Sequence, residues 1–66
     1  MRNRIKDLRH KCGWTQEQFS QLIGVSRQTV ISIESGRYNP SLQLAYKIAK
    51  AFHLNIEDVF LFEEER

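Results

Sequence analysis

The polar side chains with the most specific chemistry stand together at Arg27, Gln28 and Thr29. A glutamine amide can form two hydrogen bonds with the edge of adenine, and an arginine guanidinium can do the same with guanine. The methyl group of a threonine can contact the methyl group of a thymine. These three residues are therefore suited to contact base edges, provided that the chain presents them from the exposed first turn of a helix.

The segment around these residues has the start and stop signals of two short helices. The run TQEQ that begins at Thr15 fits a capping box, and Gly24 ends the helix that follows it. Ser26 caps a second helix only two residues later, and Gly36 stops it. Because the turn is so short, the two helices must cross steeply, and a glycine gives the backbone the freedom that the bend needs. The sequence predicts a helix-turn-helix unit.

Three further helices are predicted around this unit, each with a cap residue and apolar residues at helical spacing. They run from Asn3 to about Cys12, from Ser41 to about His53 and from Asn55 to about Phe60. We therefore predict an all-α, compact five-helix domain over residues 1–60, followed by a short apolar and then acidic tail over residues 61–66.

Length and charge limit the classes of protein that remain. The 66 residues suffice for one domain with a limited core. Residues 1–56 carry nine Lys/Arg against three Asp/Glu, a charge of +6, whereas residues 57–66 carry one against five, a charge of −4. A basic body suits a polyanionic partner. The single cysteine cannot form an internal disulfide, and no apolar run is long enough to span a bilayer, so we expect a cytoplasmic protein without a membrane partner.

The sequence offers little for catalysis or metal binding. His10 and His53 have no partners at ligand spacing, and His10 and Cys12 are two residues apart, which points them to different faces of a helix. The sequence contains no recognisable nucleophile–base pair and no glycine loop that would cradle a phosphate. We predict no enzyme activity, no metal and no cofactor.

Four runs of sequence in register carry a family resemblance: WTQEQF from Trp14, GVSRQTV from Gly24, IESGR from Ile33 and NPS from Asn39. Together they closely resemble the lambda-repressor/Cro-like (XRE) helix-turn-helix family, over about residues 2–60. The resemblance implies a lambda-repressor-like fold and double-stranded DNA as the partner, with the second helix of the unit in the major groove.

The resemblance also implies a role for each matching position. Base reading falls to Arg27, Gln28, Thr29 and Ser32. Contacts with DNA phosphates fall to Gln16, Ser26, Arg37 and Asn39. A partly buried structural ion pair is implied between Arg9 and Glu34.

The chain ends with the apolar residues Phe60, Leu61 and Phe62, followed by three glutamates. Glutamates at the C-terminus of a helix oppose its dipole, so a short extended segment is favoured there. We predict that this segment pairs with its copy in a second chain, or docks beside the fifth helix, and creates a two-fold dimer. The alternative is a frayed tail in which Phe60 alone packs on the core.

The sequence thus predicts a small homodimeric transcriptional regulator that binds a specific DNA sequence. Repression is favoured over activation, because a chain of this size has little surface for contacts beyond DNA. One alternative is an antitoxin-like DNA-binding partner of a separate protein. Another is a protein-interaction module that has lost DNA binding, which the types of Arg27, Gln28 and Thr29 disfavour.

Overall fold

The computed structural model of the chain describes residues 1–62, which form five α-helices joined by short connections. The helices are α1 (Ile5–Lys11), α2 (Gln16–Ile23), α3 (Arg27–Glu34), α4 (Leu42–Ala51) and α5 (Ile56–Val59). Residues 1–62 contain no strand, and the predicted all-α fold is confirmed. None of the described helices is long and apolar enough to cross a membrane.

The caps of α2 and α3 form as the sequence predicts. Thr15 Oγ1 accepts a hydrogen bond from the Gln18 N–H at 3.0 Å, and Gln18 Oε1 accepts one from the Thr15 N–H at 2.9 Å. Gly24 ends α2 with φ +77°, a left-handed conformation that favours glycine. Ser26 Oγ then accepts from the Thr29 N–H at 3.1 Å and starts α3. Both ends of the turn are therefore fixed, which holds α3 at a defined angle to α2.

The start of α1 differs from the prediction that Asn3 is its cap. Arg4 is the cap residue, and α1 begins one residue later than expected. The Asn3 side chain accepts from the Ile5 N–H at 3.1 Å and donates through Nδ2 to the Ile33 carbonyl at 2.9 Å. Asn3 thus joins the start of α1 to the end of α3, an interaction between residues that are 30 positions apart.

The fourth and fifth helices are shorter than predicted. α4 ends at Ala51, because His53 takes φ +59° and an α-helix cannot continue through that conformation. The Ala49 carbonyl accepts from the Phe52 N–H at 3.1 Å and from the Leu54 N–H at 2.9 Å, which closes the end of α4. α5 ends at Val59, and the next residue is extended.

The core lies where all five helices meet. At one side of the core the rings of Trp14, Phe19 and Phe52 pack together, with centroids 5.2–5.9 Å apart. Trp14 therefore packs on Phe19 across the start of α2, the geometry of a hydrophobic staple. The buried apolar residues are Ile5, Leu8, Phe19, Ile23, Val30, Ile33, Ala45, Ile48, Ala49, Val59 and Phe60.

The C-terminal segment folds back onto the N-terminus of the same chain. Asn3 and Phe60 form an antiparallel bridge, and the Leu61 N–H donates to the Arg2 carbonyl at 2.9 Å. Phe60 is only 2% exposed: its ring fills the core of its own chain and leaves little surface for the predicted contact with a second copy. Leu61 is half-buried and Phe62 is exposed, while residues 63–66 of the predicted tail lie outside the described residues.

Candidate nucleic-acid interface

The helix α3 turns its apolar residues inward and its longest polar residues outward. Val30 and Ile33 are buried in the core, which anchors one face of the helix. Arg27 and Gln28 lie in its first turn and are exposed. The N-terminal end of α3 therefore presents a guanidinium and an amide to solvent from a helix whose opposite face is held by the core.

Shorter polar residues follow on the same helix. Thr29 and Ser32 are half-buried, three residues apart and so neighbours on one face. The hydroxyl oxygens of Ser26 and Thr29 lie 3.0 Å apart, while Ser26 Oγ also accepts the Thr29 N–H. One of the two hydroxyl protons joins the two oxygens, so the other is left to donate elsewhere.

A shallow concavity opens beside these hydroxyl groups. Tyr38, in the loop between α3 and α4, is held there by its N–H, which donates to the Ser32 carbonyl at 3.2 Å. Its ring is 47% exposed. The concavity has a volume of about 230 Å³, and we call it the hydroxyl pocket; its lining residues are Ser26, Gln28, Thr29, Ser32 and Tyr38. From the sequence, Tyr38 could either cover the loop or contact a phosphate, because it lies in the loop after α3.

The loop after α3 carries two of the residues predicted to contact phosphates. Arg37 and Asn39 are both exposed, on either side of Tyr38. The Arg37 N–H donates to the Ser32 carbonyl at 3.0 Å, and the N-terminal ammonium of Met1 donates to the Gly36 carbonyl at 3.2 Å. The start of the loop is thus held by α3 and by the N-terminus.

Arg9 and Glu34 form a buried ion pair beneath this surface. Arg9 Nε lies 2.7 Å from Glu34 Oε2, and both side chains are 7% exposed. Arg9 Nη1 also donates to the Trp14 carbonyl at 2.9 Å. Because three chain segments meet at one guanidinium, the pair connects α1, the start of α2 and the end of α3.

Gln16 is also engaged with this ion pair. Its amide Nε2 donates to Glu34 Oε1 at 3.1 Å, and the residue is half-buried. A primary amide carries two N–H groups, so one donor remains after this hydrogen bond. The structure therefore places Gln16 between the buried carboxylate and the surface, a position that the sequence does not reveal.

The charge at this end of the molecule is positive. The single acidic residue of α3, Glu34, is paired with Arg9, whereas Arg27 and Arg37 are exposed. The exposed arginines therefore keep their charge available to an anionic partner. This surface consists of α3, its preceding turn and its following loop.

A second, apolar surface lies between the start of α4 and the C-terminal segment. Leu42 is 77% exposed and Phe62 is 43% exposed, which is unusual for large apolar side chains. They border a groove of about 220 Å³, which we call the apolar groove; it is lined by Met1, Asn39, Pro40, Leu42, Ala45, Ile56, Phe60 and Phe62. The sequence gives no signal for Leu42, because the residue follows the cap of α4 and lies off its buried stripe.

Comparison with known proteins agrees with this geometry. The helix-turn-helix family matches residues 5–59. An uncharacterised HTH-type transcriptional regulator from Archaeoglobus fulgidus is 54% identical, with 98% of this chain and 92% of that protein covered. Another from Bacillus subtilis is also 54% identical, with 98% of each chain covered. The crystal structure of the restriction-modification controller protein from Aeromonas hydrophila superposes with a TM-score of 0.78 at 33% identity and 86% coverage of each chain.

Two more distant relatives have names that describe a function. The competence pilus inhibition repressor of Acinetobacter baylyi is 30% identical over 91% of this chain and 54% of that protein. The antitoxin HipB of Escherichia coli is 32% identical over 82% of this chain and 57% of that protein.

The fold and the exposed face of α3 define a helix-turn-helix DNA-binding domain. The chain belongs to the helix-turn-helix family of the lambda-repressor-like (XRE) type, and it is a transcriptional regulator. The family resemblance stated from the sequence is therefore confirmed.

Proposed function

We propose that this protein binds a specific site on double-stranded DNA as a homodimer and represses transcription there. The observation that carries the proposal is the exposure of Arg27 and Gln28 at the N-terminal end of α3, above a buried anchoring face. In a helix-turn-helix domain this end of the second helix enters the major groove. Gln28 would pair with adenine and Arg27 with guanine, and the half-buried Thr29 and Ser32 would contact base edges less deeply.

Contacts with the DNA backbone would hold α3 in register. We assign these contacts to Ser26, Arg37 and Asn39, and to the second amide proton of Gln16. The two arginines on this surface would also attract the duplex at long range and make binding dependent on salt. Phosphate contacts of this kind position a protein without reading sequence, so the specificity of the complex depends on Arg27 and Gln28.

The apolar groove is our candidate for the dimer interface. The same surface of a second copy would pack against it. The eight residues of α3 can contact only a few base pairs, so a second reading helix would lengthen the site. Leu42 and Phe62 expose apolar area that a second copy can cover, and a two-fold axis brings the same groove from each chain together. The two α3 helices would then meet half-sites about 34 Å apart.

The division of the chain follows from this assignment. Residues 1–60 form the DNA-binding unit, while residues 61–66 form a short tail in which Phe62 lines the proposed dimer interface and Leu61 precedes it. The proposed activity is binding alone: it involves no chemical step, no metal and no cofactor, and it takes place in the cytoplasm.

An antitoxin-like function is the second candidate. The likeness to the antitoxin HipB favours it, although this chain spans only 57% of that protein. In that case the same domain would bind DNA, and a separate protein would occupy the apolar groove. A copurifying partner that binds this chain as a stable complex in place of a second copy would favour this candidate over the homodimer.

Selection from a pool of random duplexes tests the proposed function. We expect enrichment of a site with two-fold symmetry, whose half-sites are separated by about one turn of DNA. Enrichment of an asymmetric short site would contradict the homodimer and keep the specific binding. If the protein enriches no sequence and binds every duplex equally, with strong dependence on salt, the proposal of specific recognition is wrong.

A further inference from the structure

The hydroxyl groups of the hydroxyl pocket come from two parts of the fold. Thr29 and Ser32 come from α3, whereas Tyr38 comes from the loop after it, held to α3 through the Ser32 carbonyl. The Ser26–Thr29 hydroxyl pair has one proton left to donate, and the hydroxyls of Ser32 and Tyr38 each have one. The residues that carry these O–H groups line a space of about 230 Å³ that is open to solvent.

We propose that the hydroxyl pocket binds one phosphate group of the DNA backbone through neutral donors, with Tyr38 as an additional DNA-binding residue. This inference rests on the proposed function; it adds Tyr38 to the residues that contact the DNA backbone and reassigns Thr29 and Ser32 from base edges to a phosphate. Phosphate oxygens accept hydrogen bonds from serine, threonine and tyrosine side chains in protein–DNA complexes. The five lining residues are uncharged, so the contact differs in kind from the one that Arg37 would make.

The geometry favours a phosphate over a base edge as the occupant. Arg27 and Gln28 are the long, exposed side chains of the first turn and can reach into a groove. Thr29 and Ser32 are short and half-buried, and the ring of Tyr38 stands beside them as a wall. A phosphate stands out from the rim of a groove and can enter such a concavity, whereas the base edges lie at the floor of the groove.

The inference predicts a loss of affinity without a change in the dependence on salt. The probe is the duplex that the wild-type protein selects from the random pool. Tyr38→Phe removes one hydroxyl from each protomer and keeps the ring. We expect it to weaken binding about tenfold per half-site, since one hydrogen bond to a charged group is lost there. The slope of log K against log salt concentration should stay the same, because no cation is removed. Arg37→Gln should instead reduce the magnitude of that slope by about 1.8, because the homodimer loses one cation from each half-site.

The matched control is Tyr46→Phe. Tyr46 is an exposed tyrosine on α4 outside the hydroxyl pocket, with Lys50 Nζ 5.4 Å from its ring centre. This substitution removes the same hydroxyl group, and we expect binding within twofold of the wild type. Thermal unfolding of both variants checks that the fold is unchanged.

Replacing single phosphates of the probe with neutral methylphosphonates identifies the partner. Neutralising one particular phosphate in each half-site should cost Tyr38→Phe about tenfold less affinity than it costs the wild type. That phosphate is the one in the hydroxyl pocket. If Tyr38→Phe binds the selected duplex as tightly as the wild type, or if no phosphate shows this coupling, the inference is wrong while the proposed function stands. If the wild type selects no duplex, both are wrong.

Discussion

Replacing Glu34 with alanine would leave the buried guanidinium of Arg9 without its counter-charge. The Arg9 side chain is 7% exposed, and besides Glu34 it contacts the neutral Trp14 carbonyl. Removing one partner of a buried ion pair costs about 3–5 kcal/mol, because the remaining charge is poorly solvated. The hydrogen bond from Gln16 to the same carboxylate is lost as well.

That loss is comparable with the whole stability that a domain of this size usually has, about 3–5 kcal/mol. We therefore expect Glu34→Ala to be largely unfolded at 25 °C. The assay is urea unfolding, followed by the fluorescence of Trp14 and by far-ultraviolet circular dichroism. Trp14 is the one tryptophan in the chain and packs against Phe19 and Phe52, so its emission reports on the core.

A double variant separates the charge from the packing. Arg9→Met together with Glu34→Leu replaces both ions with apolar side chains, and we expect it to recover most of the lost stability. If Glu34→Ala lowers the free energy of unfolding by less than about 1 kcal/mol, the value for an exposed ion pair, the pair does not connect the helices as we infer.

Three further substitutions have effects that follow from single contacts. Thr15→Ala removes the side-chain half of the capping box and should lower the free energy of unfolding by about 1 kcal/mol in urea titrations, whereas an unchanged midpoint would contradict the cap. Gly24→Ala meets only the flexible end of Lys47, at 3.9 Å, so its cost should be the backbone strain of φ +77°, about 1–2 kcal/mol by thermal unfolding; a neutral effect would contradict that strain. Leu42→Glu places a charge in the apolar groove and should convert a dimer to a monomer in sedimentation experiments while the melting temperature stays within a few degrees. A dimer that survives Leu42→Glu would exclude the groove as the interface.

Features of the fold that depend on neighbouring residues could be predicted from the sequence. The capping box at Thr15, the cap at Ser26 and the left-handed Gly24 each depend on a few adjacent positions. The register of the helix-turn-helix unit follows from these three points, and this register is what places Arg27 and Gln28 on the exposed turn.

Features that depend on long-range contacts could not be predicted in the same way. The hydrogen bond from Asn3 to the Ile33 carbonyl spans 30 residues, and the one from Gln16 to Glu34 spans 18. The end of α4 depends on a left-handed histidine, His53, where a glycine would have been the usual signal. The burial of Phe60 depends on pairing with the N-terminal segment, since the apolar run itself does not show which of its rings enters the core.

The most direct test of the reading surface compares Gln28→Ala with Gln21→Ala on the selected duplex and its single-base-pair variants. Gln21 is an exposed glutamine on α2 whose amide donates to Glu17 at 3.3 Å. It belongs neither to α3 nor to the proposed phosphate contacts, so its loss should leave every affinity unchanged. We predict that Gln28→Ala loses about 1–3 kcal/mol of discrimination at one base pair in each half-site and keeps its discrimination elsewhere. If Gln28→Ala discriminates among all these duplexes as the wild type does, α3 does not read the DNA through this residue and the central claim fails.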